Sequence, residues 1–372
     1  MRLTTVWRGV HRRPLMMAGM VAALVMSLAA PASAVPNWTR PWLDTDVFAS
    51  VPYPGHPETI VVDNGTVYVG THQDATGAPG VPSKVFAYDR QGRLQREYAI
   101  RGQAAQGQGL LGMAMDGDGL LYVIDHNPSR VFTLNPRTGE QRDYAYFRDV
   151  APCTPGQPAN DCSATVGDQP AFADDLAFSP DGTLYVTDIN QALIWRVPPG
   201  GGTPKVWFTD PRLESIFGPN GIRFTDNGRT LMFAQSLHGV SDPSGIPTGR
   251  GRLYKLPITA GGSPGDLVPF WESKPGDGID GFAIGRSGKM YVAVANANAL
   301  MVLSTTGQEL GRTPATPEEN AQREVPFNMP AGVAFLDDRV LVSNQAFFNG
   351  PLEHQVMFDV YVGEPGKPLF RP

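Results

Sequence analysis

Six times along this chain an alternating apolar stretch, a turn rich in Asp, Asn or Gly and a second β-prone stretch follow one another. The six segments run Pro57–Val69, Gly109–Val123, Ala173–Val186, Pro219–Phe233, Ile279–Val292 and Pro330–Val342. Turns whose Gly, Asn or Asp residues accept positive φ, set between runs of β-branched and aromatic residues, are hairpin signals. Most hairpins are followed by a further apolar stretch, such as Lys84–Asp89, Arg130–Leu134, Leu193–Val197, Arg252–Leu256 and Leu300–Leu303. Segments such as Val206–Phe208 then supply a fourth strand. Four-stranded units recurring every roughly 45 to 60 residues fit propeller blades, whereas solenoid repeats are shorter and more regular. The expectation is an all-β fold, a six-bladed β-propeller of four-stranded blades around a central channel. Two stretches are candidates to complete the last blade, the one before Glu58 and the tail Gln355–Val362.

The chain opens with Arg2, Arg8, Arg12 and Arg13, an apolar run from Leu15 to Ala30 and the small residues Ala32-Ser33-Ala34. This is the three-part layout of a secretory signal peptide, assigned to residues 1–34, with the propeller domain at residues 35–372. The expected location is outside the cytoplasm, secreted or in the cell envelope, with no membrane association once the signal is removed. A formal charge of −6 and the lack of a dense basic stripe beyond residue 34 argue against a nucleic-acid partner and leave a small molecule as the expected one. The two cysteines, Cys153 and Cys162, are expected to pair, because exported proteins fold where thiols oxidise.

In a propeller the innermost strand of each blade lines the channel, so residues at one repeat position converge on the axis. Aligning the six segments at that position gives Glu58, Leu111, Asp174, Asn220, Asp280 and Ala331. The flanking positions are apolar, so packing does not explain the acids. Crowded carboxylates in a low-dielectric pocket repel unless a cation or protons relieve them. Oxygen donors without a Cys or His cluster suit one hard divalent cation, Ca2+ first, with Mg2+, Mn2+ or Zn2+ as alternatives.

These residues resemble the family of six-bladed propellers that contains gluconolactonase, senescence-marker protein and luciferin-regenerating enzyme. The resemblance rests on Glu58, the pair Asp174-Asp175, Pro219-Asn220-Gly221 and Asp280-Gly281, and spans nearly the whole chain after residue 34. It implies Glu58, Asn220 and Asp280 as metal ligands. The third-blade position, usually Asn in that family, is Asp174 here, and the usual Glu-Gly-Pro is Glu58-Thr59-Ile60. The implied chemistry is hydrolysis of lactones or related esters, the metal polarising the carbonyl and a carboxylate activating water. The resemblance assigns the base to Asp280, with Asp174 as the competing candidate.

His72 and His126 each follow the second strand of a hairpin and are candidates for substrate contact, as is His238 in the loop Gln235–Arg250, which is long enough to roof the site. The stretch Gly107–Gly112 matches a dinucleotide fingerprint in letters only, since it leads into a hairpin and not a helix. Two other functions stay open: a synthase or cyclase on a propeller like that of strictosidine synthase, and a non-catalytic binding propeller with a structural ion.

Overall fold

The computed structural model describes residues 40–372 apart from 74–80, 108, 156–161, 166–167, 226 and 349, so the signal segment lies outside the described residues. Each repeat becomes a four-stranded antiparallel sheet, and six such sheets form the blades. The first blade runs Pro57–Asp63, Thr66–Thr71, Lys84–Tyr88 and Leu94–Ala99 from the axis outward. The inner hairpins close as the turn residues dictate. Asn64 and Gly65 both take positive φ, 47° and 82°, and in the sixth blade, which has no Gly at the turn, Asp337 takes φ 58°.

Burial follows position in the blade. The innermost strand of the third blade, Ala173–Phe178, is buried along its whole length, whereas the outermost strand of the first, Leu94–Ala99, buries only Tyr98. The core is therefore a ring of seams between neighbouring blades. Leu111, Ile124 and Val131 of the second blade pack with Leu176, Val186 and Trp195 of the third. Each such buried apolar side chain contributes about 1.5–3 kcal/mol. Trp195, fully buried, also donates its indole N–H to Asp188 Oδ2 at 3.0 Å. Trp207 and Trp271 pack into the next two seams.

Both candidates for ring closure are used. Val356–Tyr361 forms the third strand of the sixth blade, and Thr45–Ser50 pairs with it antiparallel as the fourth, Thr45 opposite Val360 and Ser50 opposite Val356. A disulfide joins Cys153 and Cys162, Cα atoms 4.8 Å apart.

The last residues do something that their composition does not announce. After Tyr361 the chain crosses the channel mouth where the inner strands end. Arg286 donates its backbone N–H to Pro365 O at 2.9 Å, Lys367 N–H bonds Ile284 O at 2.8 Å, and Gly117 N–H bonds Pro372 O at 3.0 Å. Arg371 reaches Val62 O at 2.8 Å and the Asp63 carboxylate, and Phe370 sits edge-on to Phe224, ring centres 5.5 Å apart. Behind this strap the channel holds a cavity of about 700 Å³ lined by residues such as Ile60, Met113, Leu176 and Val333. No helix among the described residues is long and apolar enough to cross a membrane.

Candidate functional site

The opposite mouth, where the inner strands begin, is built around irregular backbone. In five blades the register between the first and second strands shifts just where the axial residue lies: between Pro57 and Ile60, Leu110 and Met113, Ala173 and Leu176, Pro219 and Ile222, and Pro330 and Val333. Bulges of this kind re-aim side chains. The fifth blade reaches the same place differently, since its inner strand starts at Phe282, two residues after Asp280.

The residue after each axial position sets how closely the blades approach. A Cβ on Gly112 would stand 2.5 Å from Asp175 Cα, and one on Gly332 would stand 2.5 Å from Glu58 O. Glycine is needed at both positions, and the close approach of neighbouring blades there follows from that. In the third blade Asp175 occupies the equivalent place and reaches into the fourth instead. Its Oδ2 accepts from Ile222 N–H at 3.0 Å and from Arg223 Nη1 at 2.5 Å. The pair Asp174-Asp175 therefore divides into an axial carboxylate and a clamp between blades. Ser343 plays a comparable part at the closing seam: its Oγ accepts from Gly332 N–H and donates to Glu58 O, both at 2.6 Å.

At the axis stand Glu58, Asp174 and Asn220, all buried, with the half-buried Asp280 beside them. Asn220 lies beside the Asp280 side chain and favours its ionised form, while its own Oδ1 accepts from Gly221 N–H at 2.5 Å. Burial raises the Glu58 carboxyl well above the usual range, and Asp280, Asp174 and Asp175 add repulsion. Asp174 is raised the same way, by burial and then by Asp280, Asp175 and Asp188. Asp280 is pushed up to about 7, chiefly by burial, although the Gly281 N–H and Asn220 partly offset it. Among the described residues none of Glu58, Asp174 and Asp280 has an ion-pair partner, whereas the nearby Asp175 and Asp277 are each paired with an arginine.

Two buried acids and a half-buried one, all without a counter-charge and beside an amide oxygen, are donor types that a hard cation takes. No group of three or more His, Cys, Asp or Glu able to hold a metal occurs among the described residues. Glu58, Asp174 and Asp280 therefore stand near one another without converging on a ready-made three-carboxylate metal site, and the implied ligand set would rely on the amide of Asn220.

The histidines separate into two places. His72 and His126 lie at the axial mouth with parallel rings, centres 5.8 Å apart, and His126 meets Phe172 edge-on at 4.1 Å. Phe347 adds a third wall, 5.3 Å from His72 and 6.3 Å from His56. His238 is apart from them. The strand Thr230–His238 carries it past a register shift to pair with Arg250, toward the outer edge of the fourth blade, where Arg252 and Glu272 act on it. The loop that follows is tied down over that blade, Val240 O accepting from Ile216 N–H at 2.8 Å.

Gln345 was missed from the sequence, although the repeat contains the signal for it. It follows the second strand of the sixth blade as His72 and His126 follow those of the first and second. Its side-chain amide donates to Glu58 Oε2, and its backbone carbonyl lies 3.0 Å from His56 Nδ1.

These features define a six-bladed propeller with an acidic, oxygen-lined site at one mouth of its channel. Its structural neighbours are propellers of the gluconolactonase, regucalcin and luciferin-regenerating type. A calcium-binding protein, regucalcin, from Agrobacterium tumefaciens strain C58 is 20% identical, with TM-score 0.55 over 88% of this chain and 98% of that one. A gluconolactonase candidate is 15% identical, TM-score 0.56, over 87% and 94%. A luciferin-regenerating enzyme is 14% identical, TM-score 0.56, over 88% and 99%. At these identities the likeness establishes the fold. No family model matches the sequence, and no curated protein does.

Proposed function

We propose that this protein is a metal-dependent hydrolase of lactones or related esters and that the axial ring is its active site. The observation that carries the reading is the unpaired acidic cluster of Glu58, Asp174 and Asp280 around Asn220. Like charges buried without a partner destabilise a fold, so they are retained where a ligand or a reaction needs them. The gluconolactonase-like neighbours support the reaction class.

Glu58, Asn220 and Asp280 would hold the cation, Ca2+ in first place, and a bound divalent ion there supplies Lewis-acid polarisation of an ester carbonyl. Gln345 fixes one Glu58 oxygen, leaving the other free. Asn220 favours the ionised form of Asp280. Asp280 and Asp174, neither held in an ion pair, are the two carboxylates placed to accept the proton of water; coordination would lower the basicity of Asp280, which keeps Asp174 as the competing base. The Cys153–Cys162 disulfide supports action in an oxidising compartment outside the cytoplasm, as the first 34 residues imply.

The test is metal analysis of the purified protein together with turnover of a lactone panel before and after chelation. Stoichiometric metal and chelator-sensitive hydrolysis are expected. Metal without hydrolysis would mean a structural ion, and absence of metal would remove the assigned ligand set.

A further inference from the structure

We propose that the substrate carries an apolar ring or acyl group, and that His72, His126, Phe172 and Phe347 seat that group beside the acidic ring. This inference rests on the hydrolase reading above and narrows it to a substrate class.

The four side chains come from separate places in the sequence and meet at one mouth. His72 leaves the first blade, His126 leaves the second, Phe172 enters the third and Phe347 leaves the sixth. Their rings form an unbroken series, Phe347 to His72 at 5.3 Å, His72 to His126 at 5.8 Å and His126 to Phe172 at 4.1 Å. The series connects to the acids indirectly: His56 meets both Phe347 and the Gln345 backbone carbonyl, and the Gln345 side-chain amide holds Glu58.

The wall offers little to a polyhydroxylated molecule. His72 Nδ1 is engaged by Gln73 O at 2.7 Å, so its remaining nitrogen is an acceptor. His126 Nδ1 is buried without a partner. Burial also holds both imidazoles uncharged at neutral pH, His72 near 4 and His126 near 3. A sugar lactone needs several converging donors and acceptors, whereas an aromatic or alkyl group needs ring faces and edges such as these. The apolar surface continues outward, because Phe348 packs on Phe347 at 5.1 Å and is 53% exposed.

The experiment compares dihydrocoumarin with glucono-1,5-lactone as substrates and measures coumarin binding by calorimetry, in wild type, Phe347→Ala and Phe172→Ala. The expected results are a kcat/KM at least 100-fold higher for dihydrocoumarin and measurable coumarin binding. Each variant should shrink that preference about tenfold, mostly through KM, and weaken coumarin binding in step. Phe347→Leu, which keeps an apolar side chain in place, serves if the alanine variants melt early, and it should lose less than tenfold. Preference for glucono-1,5-lactone, or a preference and binding that ignore Phe347 and Phe172, overturns the inference. If neither lactone is hydrolysed, the hydrolase reading fails by itself. Coumarin binding then decides the wall: binding lost on Phe347→Ala supports it, and absent or unchanged binding overturns it.

Discussion

The two mouths of the channel are made by opposite ends of the same six inner strands, yet their chemistry is opposite. Where the strands begin, the backbone bulges, three acids lack a counter-charge and buried polar atoms such as His126 Nδ1 and Ser236 Oγ have no hydrogen bond. Where they end, the tail satisfies what it meets: Arg371 pairs with Asp63, the Lys367 ammonium bonds Thr225 O, and backbone groups of the second and fifth blades find partners in Pro372, Pro365 and Lys367. Unmet electrostatic demand is concentrated at one mouth. The other is crossed by the tail, which lines the cavity there.

The largest effect that would break this contrast is on catalysis. Asp280→Ala is expected to lower kcat/KM on a responsive lactone by about 10²–10⁴-fold while leaving the thermal midpoint unchanged or higher, since repulsion is relieved; undiminished turnover would end the active-site assignment. Asp175→Ala sharpens it, because not every acid at this mouth serves chemistry. It should cost about 3 kcal/mol in urea denaturation, the loss expected when Arg223 is left without its buried partner. Deleting residues 365–372 should cost about 2–3 kcal/mol from lost Phe370 packing and hydrogen bonds, with turnover per folded molecule retained. Lost turnover would show that the strap supports the site.

The smallest effect is in pH. Folding raises the Asp280 carboxyl from its ordinary value near 3.8 to about 7. The folded state therefore holds the proton more tightly than the unfolded one. That stabilisation is complete below about pH 4 and is lost as pH rises through about 7. A shift of that size carries about 4 kcal/mol when fully expressed; solvent screening at the half-buried carboxyl should leave chelated protein losing about 1–2 kcal/mol between these limits, read from melting curves, and added Ca2+ should reverse the loss at pH 7. A stability that rises over the same interval would contradict the picture of unrelieved acids.

Much of this was legible in the residues. Alternation and turn chemistry announced each hairpin, and the repeat register alone brought Glu58, Asp174, Asn220 and Asp280 together. What was hidden depended on contacts between blades. Nothing local distinguishes Asp174 from Asp175; the clamp role depends on Arg223, 48 residues away. His238, expected in a loop long enough to roof the site, lies instead at the end of a strand that a register shift between Gln235 and His238 carries outward. The strap was invisible because Gly363 to Pro372 has the Pro- and Gly-rich composition of a loop and no periodicity to read.

The closing blade also sets an order of events. Thr45–Ser50 is the first strand among the described residues and finds its hydrogen-bond partner in Val356–Tyr361, more than 300 residues later. A contact of such high order is slow to form. Until it does, the strand Val356–Tyr361 presents an unpaired edge of the kind that invites pairing with another molecule. Five blades can assemble from neighbouring sequence, but the sixth must wait for the far end of the polypeptide. The seam where the ring is joined is therefore where a folding chain is most exposed to self-association, and where refolding yield should depend most strongly on protein concentration.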